Sequence, residues 1–200
     1  LSAAGGLGAL VWWSLSETRI TPDALRGIFS DEGADPSTIP NIEPLAAIRR
    51  ATREWSQGRG NADRFRAEIA SEGASGLVIG ILKREKVAAG EVRWVQIDAL
   101  SFENGAWTGR GATPEAASFA AHAAELMTHL DHAWIRPNVL QSGLRTAQAV
   151  CLRDRGGVYF VPASEEPALA RLQRIVKRIG SCSLDIVHAQ ATPDSRASIG

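Results

Sequence analysis

Apolar residues along this chain change period repeatedly, and each change marks an element. Ala9-Leu10-Val11-Trp12-Trp13-Ser14-Leu15, after a small, glycine-rich run from Ser2 to Gly8, has the β-branched and aromatic content of a strand. Thr21-Pro22-Asp23 sets a capping hydroxyl, a proline and an acid at a helix start, and Leu25, Ile28 and Phe29 recur at helical spacing until Gly33. A loop over 35–40 follows. Asn41 then caps a second helix, with Leu45, Ile48, Ala51, Thr52 and Trp55 on its apolar side and Arg49, Arg50 and Arg53 on the other. Gln57-Gly58-Arg59-Gly60-Asn61 breaks that helix.

From here the period becomes two. Phe65, Ala67 and Ile69 alternate with polar residues, although 62–71 would also tolerate a helix; Leu77 to Leu82 is a continuous apolar run, and Val92 to Phe102 alternates again. Turn residues over 72–76, 88–90 and 103–106 predict an antiparallel meander ending near Trp107. Thr113-Pro114-Glu115 repeats the cap and opens the longest helix, to about Trp134, with Phe119, Ala123, Leu126, Met127, Leu130 and Trp134 inward. Pro137 starts another helix, with Val139, Leu140, Leu144, Ala147 and Val150 inside. In Arg153 to Pro162 a helix gives way to the Gly156-Gly157 turn and an apolar strand, which Pro162 ends for want of an N–H. Ser164-Glu165-Glu166-Pro167 caps a last helix with the stripe Leu169, Leu172, Ile175, Val176 and Ile179, stopped by Gly180; Leu184, Ile186 and Val187 give a final strand. The expectation is a single α+β domain over 1–191, helices flanking one small, mainly antiparallel sheet, with 192–200 a polar tail. Trp12, Trp13, Trp55, Trp94, Trp107 and Trp134 should supply much of its buried aromatic area.

Composition narrows the function classes. With 200 residues, 44% of them hydrophobic, the chain can bury a core of its own. Twenty-two Lys and Arg against 22 Asp and Glu give a net charge of +0, so binding to nucleic acid or anionic lipid would need a local patch. No run approaches the roughly 20 apolar residues of a membrane helix. Cys151 and Cys182 match no metal or redox spacing and read as small buried hydrophobes of a reducing, cytoplasmic compartment. Leu1 stands where a methionine would, with no basic segment before the apolar run, so a piece of a longer chain is expected rather than a secreted one.

Three groups of residues carry candidate chemistry. His122, Glu125, His129 and His132 fall on one stripe of the long helix, the donor types and spacing that hold zinc or iron; the stripe lies away from the Phe119 side and has no obvious partner ligands, so a solvated or partner-facing stripe is the favoured reading. Residues 137–162 have the order of a winged helix, and Arg136, Arg145, Arg153 and Arg155 would then contact phosphates; the plain reading is arginines that complement helix ends. Arg171, Arg174, Lys177 and Arg178 form the basic side of the last helix, a solvated face by itself and an anion patch if joined to Arg49, Arg50 and Arg53. There is no Gly-x-Ser-x-Gly element, Gly5-Gly6-Leu7-Gly8 precedes a strand and lacks a phosphate loop's lysine, and Asp98, Glu103 and Asp185 are scattered. No enzyme and no cofactor is expected.

Trp12-Trp13-Ser14-Leu15, Thr21 to Gly33, the helix of 40–51 and the Arg153 to Pro162 stretch with its Gly-Gly-Val-Tyr-Phe-Val-Pro turn and strand resemble, in order, a family of uncharacterised proteins of bacteria, archaea and their viruses or plasmids. The similarity covers nearly the whole chain. It implies no activity or catalytic residue, only a structural or accessory domain of phage or mobile-element type. The function expected is a non-enzymatic interaction or assembly module that binds a protein partner or itself. The alternative is a winged-helix-like nucleic-acid-binding protein.

Overall fold

Alternation in the first strand is visible as burial: Ala9 and Val11 are enclosed while Trp12 between them and Trp13 is exposed, in a computed structural model that describes residues 6–59, 64–73, 76–87, 91–109, 111–152 and 157–190. The elements are β1 (Gly6–Leu15), β2 (Arg19–Ile20), α1 (Pro22–Asp31), α2 (Pro44–Glu54), β3 (Phe65–Glu72), β4 (Gly76–Lys86), β5 (Val92–Glu103), β6 (Ala106–Gly109), α3 (Pro114–Thr128), β7 (Leu130–Asp131), α4 (His132–Ile135), α5 (Ser142–Thr146), β8 (Val150–Cys151), β9 (Tyr159–Pro162), α6 (Glu166–Ile179) and β10 (Cys182–Gln190). The fold is α+β. Its strands make three antiparallel sheets, ordered β10-β1-β9-β8, β2-β7 and β3-β4-β5-β6, where the sequence reading had one. By contact the chain divides into two compact units, Leu1–Pro40 with Leu130–Gly200, and Asn41–His129; the reading of 1–191 as one domain carried no such division.

In the first unit β1 pairs along its length with β10, Leu15 opposite Cys182 and Leu10 opposite Val187, and its first half pairs on the other edge with β9, Leu10 opposite Phe160. Gly8 permits this. Its φ of +149° suits glycine, and a Cβ there would overlap the Val161 carbonyl oxygen and the Phe160 ring. The inner face, Ala9, Val11, Val161 and Leu184, is buried, and α6 packs in this unit through Leu169, Leu172, Ile175 and Val176. Gly180 ends α6 at φ +72°. Thr21 caps α1 as its spacing predicts, accepting the Ala24 N–H at 3.3 Å.

The second unit is the expected meander with two helices on one face. Asn104 and Gly105, both at positive φ, make the tight turn from β5 to β6. Ile48, Ala51 and Trp55 from the α2 segment and Phe119, Ala123 and Leu126 from α3 close over Leu77, Ile79, Ile81, Leu100 and Phe102 of the sheet. Thr113 caps α3, and its own N–H and hydroxyl donate to Asp98 Oδ2 at 2.9 and 2.8 Å, which ties the start of the helix to β5.

Several boundaries differ from expectation, each for a local reason. The cap of α2 is Glu43 rather than Asn41: Pro44 takes the first helical position, and the Glu43 carboxylate accepts the Leu45 and Ala46 N–H groups. The long helix stops at Thr128, not near Trp134. His129 is extended, Leu130 and Asp131 pair with β2, and Asp131 caps a new helix by accepting the N–H groups of Ala133 and Trp134 at 3.1 and 3.3 Å. Pro137 does not start a helix but sits in a π-helical turn, Arg136–Gln141, between α4 and α5, where its missing N–H is accommodated. Helix gives way after Thr146 because Gln148 takes φ +49°, so Val150 and Cys151 form a strand and Cys151 is exposed rather than buried. Cys182 is half-buried, and burial raises its thiol pKa. Of the six tryptophans only Trp55 is enclosed, at 5% exposure; Trp12 is 39% exposed and the rest are half-buried. Gly156, the segment 88–90 and the tail 192–200 lie outside the described residues.

Two outcomes follow from these contacts. Gly8→Ala should lower stability by about 2 kcal/mol or more, read as a fall in the urea midpoint, because the new methyl meets backbone. Asp98 is held below the usual carboxylate range by the Thr113 N–H foremost, then by the Thr113 hydroxyl and the Ala99 and Ala112 N–H groups, against desolvation. A carboxyl depressed in the folded state adds stability above its unfolded value near 4 and loses it as pH falls through the folded value. Asp98→Asn should therefore show a flatter loss of urea midpoint between neutral pH and about pH 3 than the parent chain.

Candidate interaction surface

The four residues of the histidine stripe do not form one group. His122 is 8% exposed, inside rather than toward solvent. Its Nε2 lies 2.9 Å from Glu54 Oε2, and Glu54 Oε1 accepts from Arg50 Nε at 2.8 Å, so a guanidinium, a carboxylate and an imidazole run in line from α2 to α3. Glu125 and His122 share a recess of about 390 Å³ with Trp55, Ser118 and Ala121. His129, beyond the helix end, has its Nδ1 2.8 Å from the Thr128 hydroxyl, and His132 opens α4 in the other unit. Among the described residues no three His, Cys, Asp or Glu side chains gather as metal donors. Glu54 is 68 positions from His122, so spacing along one helix led to a solvated or partner-facing stripe and not to a cross-link between two helices.

The candidate phosphate-binding arginines divide in the same way. Arg136 and Arg145 are exposed, at the π-helical turn and in α5, while Arg153 and Arg155 lie outside the described residues. After α5 the chain forms an antiparallel pair, β8 with β9, whose second strand joins β1. The basic side of α6 is engaged locally: Arg174 Nε bonds Glu32 Oε2 and Arg178 Nη2 bonds Asp31 Oδ2, each at 2.7 Å. Arg174 foremost, with Arg178, holds the Glu32 carboxyl below its ordinary range. On α2 Arg49 pairs with Glu72 and Arg50 with Glu54. These guanidiniums neutralise neighbouring acids, and α2 and α6 belong to different units.

A surface that spacing did not single out is the outer face of the β10-β1-β9-β8 sheet. Directly opposed residues of antiparallel strands share a face. Val187 lies opposite Leu10, Leu10 opposite Phe160, and Phe160 opposite Val150, so one apolar row crosses β10, β1, β9 and β8. Val187 is 51% and Val150 58% exposed, and Trp12 stands beside the row opposite Asp185. The sequence held a signal: 9–13 is apolar at every position, which a strand with one wet face does not need. No helix among the described residues is long and apolar enough to cross a membrane.

Comparison with known proteins gives one match. The model of a family of unknown function (DUF6744) matches residues 6–198, in keeping with the expected resemblance of nearly the whole chain to an uncharacterised family. No curated protein and no solved structure matches the chain.

The helix cross-link has a measurable weight. His122→Ala removes one side of a partly buried hydrogen bond and should destabilise the second unit by about 1 kcal/mol, followed by tryptophan fluorescence during urea unfolding. His122→Gln, which keeps a polar partner for Glu54, should recover part of that loss.

Proposed function

We propose that this chain, which belongs to the family of unknown function DUF6744, is a non-enzymatic interaction module that assembles with a second copy of itself through the outer face of its β10-β1-β9-β8 sheet. The observation that carries this is the row Val187, Leu10, Phe160 and Val150, apolar from edge to edge and uncovered at both ends. Contiguous apolar surface of this kind marks interaction sites. A second copy fits better than a charged partner. The row holds no charge for an acidic or basic surface to complement, Asp185 beside Trp12 being the acid next to it. A face that meets its own copy about a two-fold axis satisfies itself, and sheets stack well on inner faces of this composition. Neutral net charge removes long-range repulsion between copies. The non-enzymatic part rests on His122 and Glu54 being engaged in joining helices.

A second reading keeps the winged-helix alternative, on one observation: the β8–β9 pair follows α5 directly and its far strand joins β1, with Arg136 and Arg145 exposed on the helical segment before it. In that reading the protein contacts nucleic-acid phosphates through the helical segment.

Sizing by light scattering separates the two. Assembly predicts a mass of two or more chains without nucleic acid, reduced to one chain in Val187→Glu/Val150→Glu with the far-ultraviolet spectrum unchanged. A monomer that shifts duplex DNA, and ceases to do so in Arg136→Glu/Arg145→Glu, would replace the first reading with the second.

A further inference from the structure

The meander of the second unit has an outer face of different chemistry, on the side away from α2 and α3. Along β4 the buried side chains are Leu77, Ile79 and Ile81, the other buried positions being glycines, so the even positions face outward. Register sets the rows: Arg66, Leu82 and Gln96 stand opposite one another, then Arg84 opposite Trp94, then Lys86 opposite Val92. The Arg66 guanidinium lies over the Trp94 ring, 4.4 Å from its centre, and bonds Glu68 at 2.8 Å, while its Nε is buried with no hydrogen-bond partner. Arg84, Lys86 and Val92 are exposed. At the outward positions of these strands Arg66, Arg84 and Lys86 stand against Glu68, an excess of cations in a chain whose total is +0. Toward the other end the same face carries Val78, Gly80, Ala99 and Ser101, with Glu68 opposite Gly80 and Glu103 opposite Gly76.

We propose that this basic end of the meander binds single-stranded nucleic acid, with Trp94, backed by the Arg66 guanidinium on one side of its ring, as the stacking platform and Arg84 and Lys86 meeting phosphates. Sequence-independent binding of single strands combines a positive surface with aromatic rings on which bases stack, and here Arg66 and Arg84 flank one indole. A duplex would use the charges but has no unstacked base for the ring, and the face presents no helix to enter a groove. An acidic protein segment would likewise leave the indole idle. This surface is separate from the apolar row of the other sheet and from Arg136 and Arg145, and does not depend on the self-assembly reading.

The test is the fluorescence anisotropy of a labelled oligothymidylate of about 12 nucleotides, titrated with the full chain at several salt concentrations. The expected result is binding that weakens with salt. Arg84→Ala/Lys86→Ala should lower affinity at least tenfold at low salt and reduce the log–log salt slope by about 0.7 for each cation removed. Trp94→Ala should cost about tenfold with the salt slope unchanged, and Trp94→Phe should keep most of the affinity. The Arg84 and Lys86 positions are exposed, so that variant carries the test if Trp94→Ala does not fold. The proposal is overturned if no binding is seen, if a duplex of the same length binds as tightly, if Arg84→Ala/Lys86→Ala binds like the parent, if the loss is found only in Arg136→Glu/Arg145→Glu, or if only phosphatidylserine vesicles bind.

Discussion

Everything in the first unit depends on β1 being paired on both of its edges. The backbone of 6–15 has its donors and acceptors taken up by β10 along one side and, over its first half, by β9 along the other. An apolar strand left with an open edge would be a template for further pairing, and double pairing removes that hazard while fixing register on both sides. Because α6 connects β9 to β10, its apolar stripe is delivered to the same unit as the inward residues of β1. Gly8 is the small residue on which this arrangement turns, since any side chain there meets the backbone of β9.

The second unit solves a different problem, how to hold two helices on one face of a sheet whose outer face is left open. Apolar contact does most of it, with Phe119 edge-on to both Trp55 and Trp107 at ring separations of 5.8 and 6.3 Å. Two polar ties set the geometry. Asp98 accepts from Thr113 where α3 begins, and His122 meets Glu54 in its middle. Both candidate surfaces are therefore sheet faces held rigid from behind, one apolar and one basic.

Much of this was legible along the chain wherever local rules decide. Thr21-Pro22-Asp23 and Thr113-Pro114-Glu115 cap α1 and α3, the alternation from Phe65 to Trp107 is a meander, and the α6 stripe and its Gly180 stop are in place. Failures came where two local signals compete or where a partner is distant. Met127, Leu130 and Trp134 continue the helical period past Thr128, but Asp131 is a stronger cap than they are a stripe, and the chain restarts there. Periodicity assigns a residue to a face and says nothing of what covers it, so Trp12 and Trp94 read as core although their faces are open. The same limit hid the sites. Leu10 gains its meaning from Phe160 and Val187, and Trp94 from Arg66 and Arg84, all reached through the sheet rather than along the sequence.

The interruption of one unit by the other has a consequence for synthesis. Asn41–His129 is a single uninterrupted segment with its own hydrophobic centre, so on the ribosome it can close as soon as its last helix clears the exit tunnel. β1 is made before it and must remain unmated until 159–162 and 182–190 have been translated, well over a hundred residues later. During that interval the nascent chain carries an apolar strand with no partner to pair with, joined in sequence to an insert that can already fold, so the last residues translated decide when β1 is protected.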